Sequence, residues 1–271
     1  MSSTAVFEEI SPADFFYRNR DIAGFSNPLR ALYSTVRELV ENSLDACEAG
    51  QFLPDIYVRF QHVSGPLDGV SIFRTRVQDN GTGVPDEKIP MAFGKVLYGS
   101  KYGLRQSRGT FGLGGTMALL YGQITTNVPA HVVSSVGDDY VHEYEMSIDI
   151  QRNRPNVLRY RTHPNEKRWH GTILEFSTEG DYARASSKVL EYLKQTAMAN
   201  PYADITFVDP RGRLYVFERT VKKIPALARE TKPHPHGADV ETVQRLIAAT
   251  SAKDMLSFFT THFHRVGKGI A

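Results

Sequence analysis

The amino-acid sequence predicts a mixed α/β fold with two layers. Helical and extended segments follow each other without the strict strand–helix alternation of a doubly wound parallel sheet, and this pattern favours a two-layer α/β sandwich. Hydrophobic residues make up 41% of the chain and charged residues 23%, so there is enough apolar surface for a core of ordinary size. The length of 271 residues allows one large domain and part of a second.

A long helix is predicted over residues 28–49. Asn27 can cap its N-terminus, Pro28 suits the first helical position, and Gly50 can end the helix. The expected buried face is a stripe of mostly apolar residues at helical spacing, consisting of Leu32, Val36, Leu39, Val40, Ser43 and Cys47.

The other elements are predicted from local periodicity and turn residues. In chain order they are strands at 55–61 and 70–78, a short helix at 85–93, a helix at about 113–121, β segments near 123–135, 139–150, 157–162 and 171–177, a helix at 182–199, strands near 203–208 and 213–219, and helical segments near 239–249 and 252–260. The residues TKPHPHG at 231–237 include two prolines and a glycine and indicate a domain boundary.

Composition excludes several classes of protein. One cysteine rules out a disulfide framework and a cysteine-based zinc finger. The net charge of +2 gives no global field that would indicate nucleic acid or a cationic substrate, although a local DNA-binding patch remains open. Residues 1–9 lack the pattern of a signal peptide, and no apolar run is long enough for a membrane span. We therefore expect a cytoplasmic protein without a membrane partner, associated with the nucleoid if the source is prokaryotic.

Three polar residues on the first long helix form a candidate site. Glu38, Asn42 and Asp45 stand at i, i+4 and i+7 and therefore share one helix face. By itself, a Glu-x-x-x-Asn spacing is more often a solvated polar face. In a functional site, the Asn oxygen would suit Mg²⁺ and the Glu one turn away could polarise a water molecule.

A second candidate is Asp79-Asn80-Gly81-Thr82-Gly83, which directly follows a predicted strand. An ordinary Asp-Asn-Gly turn is the more frequent meaning of this pentapeptide. The functional alternative is a buried carboxylate that recognises a hydrogen-bond donor such as an exocyclic amine. Gly81 and Gly83 would then let a ring lie against the backbone.

Glycine marks the third candidate. Eight of the 21 glycines lie between Gly94 and Gly122, where an even distribution would place about two. The run from 107 to 116, SRGTFGLGGT, precedes a predicted helix, and backbone N–H groups at such a loop and helix start bind phosphate. It is not a dinucleotide-binding fingerprint, because no apolar strand leads into it. The residues GKVLYGSK at 94–101 are not a P-loop, because Ser and Lys stand in the wrong order.

Two further features carry less weight. Thr172, in WHGTILEF at 169–176, would place a hydroxyl at the start of a strand, although a plain turn into a strand is more frequent in isolation. His234 and His236 could be a metal pair, but we do not predict a metal site there, because no third ligand stands nearby.

The order of these motifs resembles the GHKL ATPase superfamily, which includes gyrase-type topoisomerases, MutL-type repair proteins, heat-shock chaperones and histidine kinases. Several segments narrow the resemblance to the B-subunit family of the type IIB enzyme topoisomerase VI. They are NPLRALYSTVRELVENSLDACEAGQFLPDI, VQDNGTGVP, FGKVLYGSKYGLRQSRGTFGLGG, AMANPYADITFVDPRG and KPHPHGADVETVQRLI. The resemblance implies a GHKL (Bergerat) fold with ATP and Mg²⁺ as cofactors.

The resemblance also implies residue roles. Glu38 would be the general base that activates water, and Asn42 would hold Mg²⁺. Glu41, a rival carboxylate, is assigned no catalysis because it matches the residue before the Asn. Asp79 would bind adenine. The remaining cofactor-binding residues implied by the family are Gly81 and Gly83 in the pocket floor, Thr172 in the pocket, and, in a lid around the triphosphate, Ser100, Lys101, Gly109, Thr110, Phe111, Gly112, Leu113, Gly114, Gly115 and Thr116.

In this family ATP closes a dimer of B subunits around one DNA duplex, while the A subunits of an A2B2 heterotetramer cleave another. Relaxation or decatenation of DNA is therefore the implied activity. Residues 1–20 would be a dimerisation strap, 21–230 the ATPase domain and 231–271 the start of a helix-two-turns-helix domain. The transducer domain, which carries a lysine that reaches the γ-phosphate, has no counterpart here.

Two other functions remain open at this point. One is a truncated, nucleotide-gated dimerisation or binding module with little hydrolysis of its own. The other is a different GHKL member, such as a chaperone or a MORC-like chromatin protein. The KPHPHG boundary and the helices predicted after it argue against that second alternative.

Overall fold

The computed structural model describes residues 9–99, 108, 113–226 and 231–271. The chain divides into two compact units, Met1–Ala226 and Leu227–Ala271. The first unit contains the five helices α1 to α5 in its described part; their bounds are Pro12–Arg18 (α1), Pro28–Ala49 (α2), Ile89–Gly94 (α3), Gly114–Thr126 (α4) and Tyr182–Ala199 (α5). Short 3-10 helices span Arg20–Ala23 and Asp86–Lys88.

Eight strands within the described part of the first unit form one sheet. Their bounds are Asp55–Ser64 (β1), Val70–Asp79 (β2), Ala130–Val136 (β3), Tyr140–Asp149 (β4), Arg154–Pro164 (β5), His170–Asp181 (β6), Asp204–Val208 (β7) and Leu214–Phe217 (β8). The strand order is β5-β4-β3-β6-β2-β1-β7-β8. Strands β1 and β7 pair in parallel, and the other neighbours pair antiparallel.

Helix α2 packs against α4 and α5, and all three helices pack against this sheet. Strand residues alternate accordingly, as in β1, where Ile56, Val58 and Phe60 are buried while Arg59 and Gln61 are exposed. This alternation is typical of a sheet with one covered and one open face. The two-layer α/β sandwich predicted from the sequence is therefore confirmed, and the open face of the sheet is polar between β1 and β2.

Helix α2 has the bounds that its sequence predicts. The Asn27 side chain accepts a hydrogen bond from the Arg30 N–H at 2.9 Å, and Pro28 occupies the first helical position. The whole predicted stripe from Leu32 to Cys47 is buried. The helix therefore lies with its apolar side on the core and leaves Glu38 and Asn42 on another side.

The prediction of a β segment from residue 123 is wrong at its start, because residues 123–126 are the last turn of α4. The run Ile124-Thr125-Thr126 has strong β propensity. However, the Thr125 hydroxyl donates to the Tyr121 carbonyl at 2.9 Å and the Thr126 hydroxyl to the Gly122 carbonyl at 2.8 Å. These i−4 bonds are compatible with a helix, and Asn127 ends it in the left-handed conformation.

The second unit contains two helices in its described part, α6 at Val240–Ala249 and α7 at Met255–His262. Asp239 and Asp254 cap them, and the Asp254 cap explains why α7 begins three residues after the predicted position. A 3-10 turn at Pro235–Gly237 precedes α6. At this turn the rings of His234 and His236 stack with their centroids 5.4 Å apart. No helix in the described ranges combines the length and the apolar character that a membrane span requires.

Candidate functional site

Asp79 is the buried acceptor of the candidate site. It ends β2 and is 7% exposed. Its Oδ1 atom accepts hydrogen bonds from the Gly81 N–H at 2.9 Å and the Thr172 N–H at 3.2 Å, and its Oδ2 atom accepts one from the Ser43 hydroxyl at 3.1 Å. Burial raises the pKa of the carboxyl to about 6, although the three hydrogen bonds oppose this rise. The carboxylate is therefore fixed in position and partly desolvated before any ligand arrives.

Two glycines bring the backbone unusually close around Asp79. Gly83 has a φ of +66°, and a Cβ atom there would lie 1.9 Å from the Ser135 carbonyl oxygen. Gly171 has a φ of +128°, and a Cβ atom there would lie 2.1 Å from the Asp79 carbonyl oxygen. Both positions therefore require glycine for conformation and for space. Gly81 contributes close packing, since its Cβ atom would meet Ala46 Cβ at 2.7 Å.

Thr172 lies directly beside Asp79, because the two residues are partners in the register of β2 and β6. The Ser134 hydroxyl on β3 donates to the Gly171 carbonyl at 2.9 Å. A hydroxyl has one proton, so Ser134 Oγ acts as acceptor for the Val84 N–H at 2.9 Å and the Thr172 hydroxyl at 3.1 Å. Ser134 on β3 thus connects the segment after β2, through Val84, with the start of β6, through Gly171 and Thr172.

An aromatic pair closes the same region. The rings of Phe52 and His170 stack with centroids 4.1 Å apart, and His170 Nδ1 donates to the Gly81 carbonyl at 2.8 Å. This contact holds the turn after β2 against the start of β6. The turn and the strand start thereby form one rigid wall around Asp79.

The polar face of α2 lies against the start of α4. A Cβ atom at Gly114 would lie 1.6 Å from Glu38 Oε2, and one at Gly115 would lie 3.2 Å from Asn42 Nδ2. The first turn of α4 therefore approaches Glu38 and Asn42 without side chains of its own. The Thr116 hydroxyl donates to the Leu113 carbonyl at 3.1 Å. Because the N-terminus of a helix presents free N–H groups and positive charge, this juxtaposition suits an anion.

Carboxylates on α2 have basic partners. The Arg37 guanidinium pairs with Glu38, whose side chain is 12% exposed. Burial, followed by the negative charge of Glu38, raises the pKa of Glu41. Arg108, from the glycine-rich run, pairs with Asp45 at 3.0 Å and with Glu48 at 2.9 Å. Arg108 also donates to the Asn200 side chain at 2.8 Å, so it links this run to α2 and to the end of α5.

The structure brings together two groups of predicted residues by way of α2. Ser43 on this helix contacts Asp79, and Glu38 and Asn42 on the same helix face Gly114 and Gly115. The remaining predicted lid residues, Ser100, Lys101, Gly109, Thr110, Phe111 and Gly112, lie outside the described residues.

Residues outside the predicted set also contact its members; among them are Arg37, Ser43, Ser134 and Gly171. Ser43 stands out only as the polar member of an otherwise apolar stripe. Gly171 precedes the predicted Thr172, so its position is a usable signal. Ser134 is an ordinary strand residue in the sequence, and no local pattern distinguishes it.

Comparison with known proteins is consistent with this arrangement. Residues 28–141 match the model of the family described as histidine kinase-, DNA gyrase B-, and HSP90-like ATPase. That range includes α2, the turn after β2 and the glycine-rich run. Thr172 follows the matched range.

Curated relatives extend the similarity to nearly the whole chain. The chain is 42% identical over 266 residues to the B subunit of type 2 DNA topoisomerase 6 from Pyrobaculum aerophilum, and the match covers 98% of this chain and 50% of that protein. It is 40% identical over 276 residues to the B subunit of the enzyme of the same name from Metallosphaera sedula, covering 100% of this chain and 51% of the relative. The chain thus spans about half the length of these relatives.

Among solved structures, the fold is similar to the ATPase and transducer domains of DNA topoisomerase II from Balamuthia mandrillaris. The TM-score is 0.50 and the sequence identity 14%, with 79% of this chain and 61% of that chain covered. At this identity, the similarity supports the fold alone.

Proposed function

We propose that this chain, which matches the histidine kinase-, DNA gyrase B-, and HSP90-like ATPase family over residues 28–141 and resembles the B subunit of type 2 DNA topoisomerase 6 over nearly its whole length, is the ATP-binding and ATP-hydrolysing part of such a topoisomerase. One observation carries the proposal. A single helix, α2, contacts the buried Asp79 carboxylate through Ser43 and faces the bare N-terminus of α4 through Glu38 and Asn42. The Asp79 end of this arrangement would suit a nucleobase, and the Glu38 end would suit phosphate groups.

The Asp79 end of the site would bind adenine. A buried carboxylate can accept a hydrogen bond from the exocyclic amine, and such bonds to a charged acceptor are strong when water is excluded. Gly81 and Gly83 would let the ring lie close to the backbone, and Thr172 would contact the same edge. The raised pKa of Asp79 favours an arrangement in which a ligand donor compensates its lost hydration.

The Glu38 end of the site would hold the phosphates. The oxygen of Asn42 suits Mg²⁺, which takes few protein ligands and keeps several waters. The donor set fits this ion, because the amide of Asn42 and the carboxylate of Glu38 both offer oxygen ligands where Gly114 and Gly115 bring the start of α4 close to them. Bound Mg²⁺ would neutralise phosphate charge. Glu38 would act as the general base toward the attacking water, and Ser100, Lys101 and residues 109–116 would wrap the triphosphate.

The proposed role of the whole protein follows from its relatives. ATP binding would close a dimer of two B subunits around one DNA duplex, and the A subunits of an A2B2 assembly would cleave a second duplex. Relaxation or decatenation would result, in the cytoplasm or at the nucleoid. The segment 1–20 would form the dimer strap. Phe15 and Tyr17 support this role, because they are large apolar side chains with exposures of 39% and 42%.

The two units would be the ATPase domain, assigned to residues 21–230, and the start of a helix-two-turns-helix domain at 231–271. By the family resemblance, a lysine of a transducer domain would reach the γ-phosphate and contribute to hydrolysis.

Relaxation of supercoiled DNA tests the proposal. A version extended to the relatives' length, mixed with an A subunit, should relax the DNA when ATP and Mg²⁺ are present and not when either is omitted. Binding of ATP without relaxation in the presence of any A subunit would contradict the topoisomerase assignment and leave the ATPase assignment intact.

A second candidate is a nucleotide-gated dimerisation module with little hydrolysis. The observation that favours it is the exposure of the large apolar side chains Phe15 and Tyr17, which would suit contact with a second copy of the chain. Phosphate release by the 271-residue chain, compared with release by the extended version, separates the two candidates. If both versions release phosphate at the same rate, the second candidate is wrong.

A further inference from the structure

The open face of the sheet carries a cluster of arginines between β1 and β2, on the side that α2, α4 and α5 do not cover. Tyr57, Arg59 and Gln61 on β1 point to this face, as do Arg74, Arg76 and Gln78 on β2 and Glu175 on β6. Together these residues line a shallow depression of about 440 Å³. We call this set the arginine face.

The register places like charges side by side. Arg59 and Arg76 are direct partners in the β1–β2 pair, and Arg74 faces Gln61. Residues two apart on one strand are about 6.8 Å apart, so Arg74 follows Arg76 at that spacing. Directly opposed like charges destabilise a sheet. An anionic ligand would offset the repulsion between these opposed arginines, so the arrangement favours one.

The carboxylates nearby do not neutralise the cluster. Glu175 lies 3.8 Å from Arg74 and 3.7 Å from Arg76. Within the described ranges, Arg59 makes no ion pair with a carboxylate. The side chains of Arg74 and Arg76 are 48% and 37% exposed. Three guanidinium groups thus stand near one carboxylate, and the cluster carries net positive charge.

On the same face of the sheet, the charged side chains of β3, β4 and β5 are arranged differently. Glu143 on β4 accepts hydrogen bonds from His131 at 2.9 Å and His163 at 2.6 Å, and Glu145 pairs with Arg159 at 3.8 Å. There, carboxylates and basic groups alternate across β3, β4 and β5 and balance each other. The excess of positive charge is therefore confined to the strands β1, β2 and β6.

We infer that the arginine face binds the phosphate backbone of duplex DNA. The inference rests on the proposed function, which makes duplex DNA the macromolecular substrate. Arginine forms bidentate hydrogen bonds with phosphate, and the neighbouring Gln61, Gln78 and Tyr57 supply the polar groups that commonly contact DNA backbone oxygens. The residues that line the depression include three arginines, one carboxylate and no aliphatic side chain, so its chemistry suits a polyanion. Contacts of this kind would be independent of base sequence.

Duplex binding by the 271-residue chain tests the inference. Fluorescence anisotropy with a labelled duplex of about three helical turns would compare the unmodified chain with the triple variant Arg59→Gln, Arg74→Gln, Arg76→Gln. We expect the triple variant to bind about tenfold or more weakly, with a slope of log K against log salt that is shallower by up to about 2.7, because each lost phosphate contact removes about 0.9. These side chains face solvent, and removing the opposed charges of Arg59 and Arg76 relieves repulsion, so we expect the variant to melt no lower than the unmodified chain.

The matched control removes the same charge elsewhere. Arg152, Arg168 and Arg184 have side chains that are 78%, 64% and 80% exposed, and their triple change to Gln should leave DNA affinity within about twofold of the original. The inference would be overturned if both triple variants lost the same DNA affinity, or if the unmodified chain did not bind DNA. The inference would also be overturned if, in a version of the relatives' length, the changes at Arg59, Arg74 and Arg76 lowered stability but left DNA affinity unchanged.

ATP binding measured on the same samples separates this inference from the proposed function. If the chain binds ATP and the arginine-face variant keeps full DNA affinity, the inference fails and the ATPase assignment stands. If the chain binds no adenine nucleotide, the proposed function fails and the inference falls with it.

Discussion

Asp79 and Thr172 are direct partners in the register of β2 and β6, and the Thr172 N–H donates to Asp79 Oδ1 at 3.2 Å across 93 residues of sequence. This pairing buries the carboxylate, and burial raises its pKa to about 6. The same bond fixes the orientation of the carboxylate. The site is therefore prepared for a donor ligand at a cost in the stability of the unliganded protein.

Asp79→Asn should make the stability of the unliganded chain less dependent on pH. The native pKa of about 6 lies above the ordinary value of 3.8, so the native state holds more protons between these values. The free energy of unfolding then falls as pH rises through this range, and Asp79 lowers it by about 1.4 kcal/mol from about pH 5 to about pH 8. Urea denaturation at both pH values should show that the variant lacks this loss.

The control for this experiment is Asp139→Asn, which changes a carboxylate whose side chain is 72% exposed. We expect this variant to follow the unmodified chain at both pH values. If Asp79→Asn shows the same fall between the two pH values as the unmodified chain, the raised pKa of Asp79 is not the cause.

The same substitution should weaken nucleotide binding. The amide introduced by Asp79→Asn would still accept from the Gly81 and Thr172 N–H groups, but its NH₂ group would occupy the position of Oδ2 and oppose a ligand amine. Losing a hydrogen bond to a charged acceptor costs about 1.5–3 kcal/mol, or about a tenfold to hundredfold loss of affinity. Calorimetric titration with ADP, at a pH well above the pKa of Asp79, measures this loss. An affinity that remains within about twofold of the original would exclude Asp79 as the adenine acceptor.

Ser43→Ala should shift the pH dependence of ligand binding. The Ser43 hydroxyl donates to Asp79 and holds its pKa down, so its removal raises the pKa above about 6. If binding requires the ionised carboxylate, affinity for adenosine increases with pH, and the midpoint of that increase moves to higher pH in the variant. Adenosine is the suitable probe because it has no titrating phosphate. Ser186→Ala, on the exposed side of α5, is the control, and an unchanged midpoint in Ser43→Ala would contradict the prediction.

Gly83→Ala and Gly212→Ala form a matched pair for the turn around Asp79. Both glycines have positive φ, +66° and +78°, but a Cβ atom would lie 1.9 Å from the Ser135 carbonyl at Gly83 and meet nothing within 4 Å at Gly212. Conformational strain alone should cost about 1 kcal/mol at Gly212, while the clash should raise the loss at Gly83 to about 3 kcal/mol or more. Urea denaturation measures the free energy of unfolding of both variants. Equal losses would show that the backbone around Gly83 moves away from the added methyl group at no cost.

These residues also show which parts of the site the sequence can predict. Helix α2 is predictable because its signals are local; Asn27, Pro28 and Gly50 mark its ends and a buried stripe marks its face. The Asp79 motif is likewise visible in a short run of consecutive residues. Local signals give the wrong secondary structure at Thr125 and Thr126. Both residues have high β propensity, but they end helix α4, where their hydroxyls donate to backbone carbonyls four residues earlier.

The contacts that assemble the site are long-range, and the sequence does not contain them in any local pattern. Ser134 acts only because β3 pairs with β6 in the register that sets it opposite Thr172. Arg37 pairs with Glu38 through a side-chain geometry that adjacent residues on a helix do not dictate. The approach of Gly114 to Glu38 depends on the packing of α4 on α2. Predicting these contacts requires the strand order and the register of the sheet.

Glu38→Gln and Glu41→Gln distinguish two carboxylates of α2 as candidates for the base at the proposed phosphate end of the site. Only Glu38 faces the start of α4, where the Gly114 backbone lies against its carboxylate. In a version of the relatives' length, Glu38→Gln should lower the rate of ATP hydrolysis by about 10²–10⁴-fold, the usual contribution of a general base. ATP affinity should change little, since the amide keeps the size of the side chain. Glu41→Gln should keep both within about threefold. Phosphate release and calorimetric titration measure these quantities, and retention of turnover by Glu38→Gln, or its loss in Glu41→Gln, would reverse the assignment of the base.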